Sequence, residues 1–202
     1  MKIISFYTPN YEGEVDGWID AIGKSECGYG HWCQRIESRG TWRANCGLKP
    51  HFILGCLEQL DEAVLWVDID GRVRGHLELV PTLIERYDFA CWFIPARALR
   101  ACDRPAGKND LDGTASGTMF FNNTPAALEL LNRWIHRDHG QYDFEQVVLG
   151  ETWHFDRPGQ LRTSRLPQGY CKVFDAKFLA GEEHDVQVEH MQASRRLRKI
   201  GR

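Results

Sequence analysis

Val64-Leu65-Trp66-Val67-Asp68-Ile69-Asp70-Gly71 is the stretch that decides the fold. Its four leading residues are apolar without interruption, the pattern of a strand buried on both faces inside a parallel sheet. The strand's C-terminal end throws Asp68 and Asp70 into the turn that follows, and open α/β sheets bind ligands beyond that end of their strands. Two carboxylates two positions apart in an extended turn can both address one hard cation, which would bridge diphosphate oxygens and offset charge on a departing phosphate. An acidic, hydrated turn that merely closes a strand has the same spacing, so the surroundings must separate the two readings.

Upstream, Lys2 to Thr8 reads as a buried first strand ending at Pro9-Asn10 turn chemistry. Val15, Trp18, Ile19 and Ile22 fall at helical spacing before Gly23, and His31 to Ile36 forms a second strand. Pro50 suits the first turn of a helix carrying Phe52, Ile53, Leu57 and Leu60, after which Ala63 to Val67 is the decisive strand. This alternation predicts an α/β sheet with parallel strands. Downstream, Leu77 to Ile84 reads as a short helix or irregular stretch broken by Pro81, and Asp88 to Ile94 as an aromatic-rich strand. Residues 103–113 are polar and turn-prone, a loop expected to lie over a site. Gly117 to Phe121 is strand-like. Thr124 caps a helix with Pro125 at its first position and Leu128, Leu131, Trp134 and Ile135 as its stripe, and a further helix covers Phe144 to Trp153. Short strands near Leu161 to Leu166 and Tyr170 to Phe174 precede a polar stretch with few core residues, which ends in a basic tail at 191–202.

Composition bounds the function. The 202 residues carry 25 Lys plus Arg against 28 Asp plus Glu, a formal charge of −3, which excludes a strongly basic nucleic-acid coat. With 43% hydrophobic and 26% charged residues the chain has globular composition, and a single domain over 1–202 is expected. No apolar run approaches the ~20 residues of a bilayer-spanning helix, and the opening residues lack a secretion signal's long apolar stretch, so the expectation is a soluble cytoplasmic protein. Seven cysteines without a CxxC pair indicate neither a disulfide framework nor a zinc ribbon, and Cys27, His31 and Cys33 lack a second ligand pair. Trp32, Trp42 and Trp153 lie outside the clearest apolar stripes and are candidates for a stacking platform as well as for packing. Arg43 and Asn45 either reach phosphate or fix the start of the following helix.

The order of elements around Asp68-Ile69-Asp70 resembles the nucleotide-sugar-dependent glycosyltransferases of the GT-A fold, a three-layer α/β sandwich around a mostly parallel sheet. That resemblance implies that Ser5-Phe6-Tyr7-Thr8 holds the nucleotide base, with Tyr7 and Thr8 as the contacts, and that Lys49 on the helix before the acid pair steadies the donor. Ser116-Gly117-Thr118-Met119-Phe120-Phe121-Asn122-Asn123 looks like the family's small-residue strand beside the donor sugar, implicating Gly117 and Asn122, although Asn before Thr-Pro is also turn chemistry. Asp143-Phe144-Glu145-Gln146 is similar to the acidic-plus-glutamine motif that faces the sugar's reactive carbon. Glu145 then binds a donor hydroxyl, serves as general base or caps its helix; Gln146 stabilises charge on the sugar ring; Asp143 exchanges with Glu145 if the match shifts by two. His190, Ala193 and Arg196 fit the spacing by which glycogenin-like members supply a third metal ligand and a base for the diphosphate, with alanine and arginine where that family has glycine and lysine. An Asp68, Asp70 and His190 set suits manganese and accepts magnesium.

The resemblance implies transfer from a nucleotide diphosphate donor, with a uridine nucleotide expected, to an acceptor hydroxyl on a glycan, lipid-linked sugar, protein or modified nucleic acid. The terminal histidine favours retention of anomeric configuration. Two rivals start from the same residues. A haloacid-dehalogenase-type phosphatase also ends a hydrophobic strand in DxDG, but that motif belongs on a first strand and is followed by Thr or Ser where Arg72 stands. A non-catalytic module would keep the fold and bind a nucleotide sugar, or a polyanion through its basic tail.

Overall fold

The computed structural model describes residues 1–96, 98, 112–137, 144–181 and 184–200, with side chains to residue 197. A six-stranded sheet in the order β2-β1-β3-β6-β5-β7 forms its centre. These strands are β1 (Lys2–Tyr7), β2 (Gly30–Arg35), β3 (Val64–Val67), β5 (Phe89–Ile94), β6 (Gly113–Phe121) and β7 (Thr163–Arg165). β1 pairs in parallel with β2 and β3, and β5 with β7; β6 runs against both of its neighbours. The sheet is therefore mainly parallel, as expected, with β6 as its antiparallel member.

Burial on both faces explains the sequence of the central strands. Along β3, Val64 and Trp66 enter one core while Leu65 and Val67 enter the other; on β1, Ile4 and Ile3 divide in the same way. The first core is covered by α3 (Lys49–Leu60), α5 (Pro125–His136) and α6 (Glu145–Phe155) through residues such as Ile53, Leu57, Leu130, Trp134 and Leu149. The second is covered by α1 (Val15–Lys24) and α4 (Val80–Arg86) through Trp18, Ile22, Val80 and Leu83. Helix, sheet and helix make the three layers expected of this fold class. Pro81 does not break a helix, as its position suggested, but lies in the first turn of α4, where its missing N–H costs nothing.

Two further differences lie in the last third. Tyr170 to Phe174 is a 3-10 turn over Gln168–Cys171 followed by the two-residue β8 (Lys172–Val173), and the polar tail contains buried structure. β9 (Val188–His190) sits between β8 and β4 (Gly71–Val73) in a second, three-stranded sheet, and α7 (Ala193–Ile200) follows it. Val188, His190 and Ala193 are all buried. Their polar neighbours conceal them from a hydropathy reading. The 103–113 loop lies outside the described residues up to 111; Gly113 already belongs to β6.

Gly169 anchors this small sheet. Its carbonyl accepts the Gln187 N–H at 2.9 Å just before β9, and a Cβ there would lie 2.2 Å from the Asp185 carbonyl oxygen. Gly169→Ala is therefore expected to destabilise the protein by about 1–3 kcal/mol, read as a lower melting temperature. An unchanged melt would show that the 185–187 segment moves freely away from Gly169.

Candidate active site

The acids at the end of β3 are fixed by backbone geometry. The Asp68 N–H donates to the Gly117 carbonyl at 2.9 Å, extending the β3–β6 ladder by one residue, and the Gly71 N–H turns back to the Asp68 carbonyl at 2.6 Å. A Cβ on Gly71 would meet Val67 Cγ1 at 2.5 Å, so the turn requires glycine. β4 begins there and its register sets Gly71 opposite His190 on β9. Residues 119 positions apart in the chain thus meet by strand pairing.

His190 is buried with its Nε2 3.0 Å from Thr118 Oγ1 and its Nδ1 3.8 Å from Asp70 Oδ1. Gly117 makes room for the ring, since a Cβ there would lie 2.8 Å from His190 Cε1. Asp70 is held from the same end of the chain: its Oδ2 accepts the Ala193 N–H at 2.8 Å and its carbonyl accepts the Met191 N–H at 3.0 Å. Asp68, Asp70 and His190 each offer a ligand atom, all within 4.8 Å of one another, and they form the one such group of His, Cys, Asp and Glu among the described residues.

Lys49, from the first turn of α3, is 3% exposed, and its three N–H groups all find protein acceptors. They reach Asp68 Oδ1 at 2.9 Å, Glu145 Oε1 at 3.1 Å and the Ser116 carbonyl at 3.0 Å. Asp68 Oδ1 also accepts the Trp66 indole N–H at 2.8 Å, and Glu145 Oε1 the Ser116 hydroxyl at 2.8 Å. α6 is set in place by Trp134 Nε1, which donates to the Glu145 carbonyl at 3.1 Å, and by Thr114, whose hydroxyl donates to the Gln146 carbonyl at 2.8 Å. Glu145 is buried, whereas Gln146 is half-buried and its side-chain amide has no hydrogen bond to the described residues.

These contacts decide the protonation states. Desolvation alone would raise Glu145, but the Lys49 charge and the Ser116 hydroxyl outweigh it and hold the carboxyl below its usual range. Burial would lower Lys49, and Asp68 with Glu145 reverse that, so the ammonium stays charged. Desolvation pushes Asp68 up, against the pull of Lys49 and with the push of Asp70. Asp70 is held low, because hydrogen bonding and charge from His190 and the Ala193 amide exceed its desolvation. Burial disfavours the His190 imidazolium, yet the Cys171 sulfur and Asp70 together hold its pKa well above the ordinary value. A proton is thus drawn to the place where the donor set converges, which fits a site built for a cation, and two carboxylates with one imidazole are a donor set for a divalent metal.

Several sequence candidates lie elsewhere. Asn122 is at the far end of β6, beyond Phe121, which pairs with Val64 at the opposite end of β3 from the acids. Its amide donates to the carbonyls of Ile84 at 2.8 Å and Tyr87 at 3.1 Å, so it closes a turn and cannot reach a sugar at Asp68. Asp143 lies outside the described residues. Arg196 on α7 is paired with Glu14, whose other oxygen holds Arg72 at 2.7 Å. Asn45 fixes the start of its helix through Ser38 and the Arg39 N–H. Trp32 and Trp153 pack against the first core.

Beside the acids lies a cleft of about 140 Å³ lined by Thr8, Asn10, Tyr11, Ser38, Gly40, Trp42, Asn45, Ser194 and Leu197. Thr8 is buried on its wall and half-buried Tyr7 precedes it. Tyr11 was not anticipated. Burial first, then the Asp70 charge, raise its hydroxyl pKa, while the Trp42 indole N–H donates to it. Its only sequence signal was a tyrosine two residues beyond the Pro9-Asn10 turn.

The mixed sheet, the acid pair at the end of β3 and the histidine returned by a tail strand define the GT-A fold of glycosyltransferases. Solved structures with that architecture match nearly the whole chain. A glycosyltransferase involved in the glycosylation of the major capsid of PBCV-1 superposes with a TM-score of 0.62 at 15% identity, over 99% of this chain and 98% of that one. The bifunctional glycosyltransferase WbbM gives 0.61 at 11% identity over 95% of this chain and 45% of its own length. An active-site glutamine-to-glutamate mutant of LgtC gives 0.53 at 12% identity over 100% and 95%. At these identities the shared property is the fold. No protein-family model and no curated protein matches the sequence.

Lys49→Met should cost about 3–5 kcal/mol, because it strands two partly or fully buried carboxylates, and adding Glu145→Gln should recover part of that loss. Glu145 titrates below its ordinary 4.5 in the folded protein. It therefore contributes stability that is complete above that value and is lost as pH falls through the lower folded value. Glu145→Gln should flatten this acid limb in melts taken across pH; a limb identical to wild type would remove Glu145 from the network.

Proposed function

We propose that the protein is a metal-dependent glycosyltransferase that moves a sugar from a nucleotide diphosphate, a uridine nucleotide in the first instance, to an acceptor hydroxyl. The observation that carries this reading is the convergence of Asp68, Asp70 and His190 beside a cleft formed by the end of β1 and by α7. In this reading Asp68, Asp70 and His190 hold manganese or magnesium. Bound there, the ion supplies positive charge that favours departure of the diphosphate.

The chain's own groups perform the remaining tasks. Thr8, Tyr7 and Tyr11 receive the base, with Trp42 as the opposite wall of the cleft. Arg196 exchanges Glu14 for a diphosphate oxygen. Glu145, ionised and tied to Lys49 and Ser116, is a poor proton acceptor and acts by holding the mouth of α6. Gln146, whose amide has no hydrogen bond among the described residues, faces the sugar and stabilises charge at the anomeric carbon. Lys49, which the resemblance assigned to the donor phosphates, acts instead as a positioning residue, since each of its donors is already taken. Gly117 lets His190 approach. Transfer with retention and a cytoplasmic location complete the proposal; no described helix is long and apolar enough to cross a membrane. The phosphatase reading fits poorly, because Asp70 is occupied by the Ala193 amide and neighbours His190.

The first test is titration of uridine diphosphate with manganese. Asp70→Asn keeps an acceptor for the Ala193 amide but removes the charge, and should weaken manganese-dependent binding at least about tenfold while the circular dichroism spectrum is preserved. Undiminished binding would refute the metal assignment. Second, Gln146→Ala should lower kcat for donor breakdown by about a hundredfold with little change in KM, as for loss of one transition-state contact. An effect confined to KM would make Gln146 a binding residue.

A further inference from the structure

Trp42 and Phe144 are large aromatics that belong to neither core. They come from separate elements, the five-residue α2 (Trp42–Cys46) and the residue that precedes α6, and their rings meet nearly perpendicular with centroids 5.5 Å apart. α2 buries none of its residues. It is held by its Thr41 cap, which accepts the Ala44 N–H at 3.1 Å, and by Asn45. A short helix fixed in this way, carrying a tryptophan away from the hydrophobic interior, serves the surface it faces rather than the fold.

That surface continues the candidate site. Phe144 is 36% exposed and immediately precedes Glu145, and Val147, on the same side of α6 one turn later, is 38% exposed. The Arg43 guanidinium lies over the Phe144 ring, 4.7 Å from its centroid, and adds hydrogen-bond donors at the edge of the apolar strip. Trp42 links the strip to the cleft: it lines that cleft and donates to Tyr11. An occupant of the strip would therefore lie next to Glu145 and Gln146, on the other side of Trp42 from the cleft.

We infer that Phe144, Val147 and Arg43, backed by Trp42, form the acceptor subsite, and that the acceptor presents a pyranose ring to it. The C–H face of a pyranose matches an exposed aromatic and a valine, and its ring hydroxyls match a guanidinium that carries donors only. An acyl chain would use the apolar strip but leave Arg43 without acceptors, and a flexible polypeptide, though it has carbonyls for Arg43, presents no rigid C–H face to the ring. This inference rests on the transferase reading, because it takes the strip's position beside Gln146 as its meaning.

Saturation-transfer NMR with methyl pyranosides of gluco, galacto, manno and N-acetylgluco configuration tests it, alongside a uridine diphosphate and manganese titration of the wild-type protein. At least one pyranoside should receive saturation from aromatic protons. Phe144→Ala should lower that transfer by about fivefold or more, and Phe144→Trp should restore it. Where alanine perturbs the circular dichroism melt, Phe144→Leu replaces it, keeping apolar bulk without the ring. If no pyranoside binds wild type, or if removal of the ring leaves saturation intact, the subsite is wrong. If pyranosides bind through Phe144 while uridine diphosphate and manganese do not bind at all, the saccharide surface stands and the transferase reading falls.

Discussion

Three carboxylates gathered at one end of a buried sheet repel one another, and the site exists because Lys49 and His190 sit between them. Lys49 bridges Asp68 and Glu145, and His190 neighbours Asp70. Opposite charges a few ångströms apart attract by several kcal/mol at the intermediate dielectric of a protein surface, about 4 kcal/mol at 4 Å, while an uncompensated buried charge costs as much or more. Neither cation can be removed without leaving an acid to be desolvated alone. The arrangement therefore specifies its own geometry: the acids stay close together only while α3 and β9 remain docked.

This dependence explains why the tail is built as structure. Asp70 is reached from positions 190 to 193 through the ring of His190, the Met191 N–H and the Ala193 N–H. β9 is held in turn by β4, by β8 and by the Gln187 bond to Gly169. Close backbone approach is needed at each joint. Gly71, Gly117 and Gly169 occur where a Cβ would collide with Val67, His190 or Asp185, so three glycines spread over nearly a hundred residues serve one local constellation.

The strands that bury both faces were legible from sequence because their signal is local: β1 and β3 are short apolar runs, and the residues of α1 and α5 recur at helical spacing. Asp68 and Asp70 were legible for the same reason, as they terminate such a run. What failed was long-range. Asn122 resembled a sugar ligand by sequence neighbourhood, but five residues of extended strand carried it from one end of the sheet to the other. Lys49 was recognised as important, yet its employment by Asp68, Glu145 and Ser116 depends on partners up to 96 positions away. β9 was missed because its alternation, Val188 and His190 inward with Glu189 between them, is too short to exceed the polar background.

Arg196 shows how magnitudes, rather than proximity, decide what a pairing means. Its side chain is 66% exposed, whereas its partner Glu14 is 9% exposed and already holds Arg72. An ion pair with one member in solvent contributes little, about 0–1 kcal/mol. Release of Arg196 does not strand a buried carboxylate either, because Arg72 keeps Glu14 neutralised and stays bonded to the Ile69 and Gly71 carbonyls at the acid turn. A diphosphate carries more charge than a carboxylate and offers more acceptor oxygens to a planar guanidinium, so exchange of partners favours the phosphate. Glu14 thus keeps Arg196 on the helix that supplies Ser194 and Leu197 to the cleft without binding it strongly, the property that the diphosphate contact proposed for Arg196 would require.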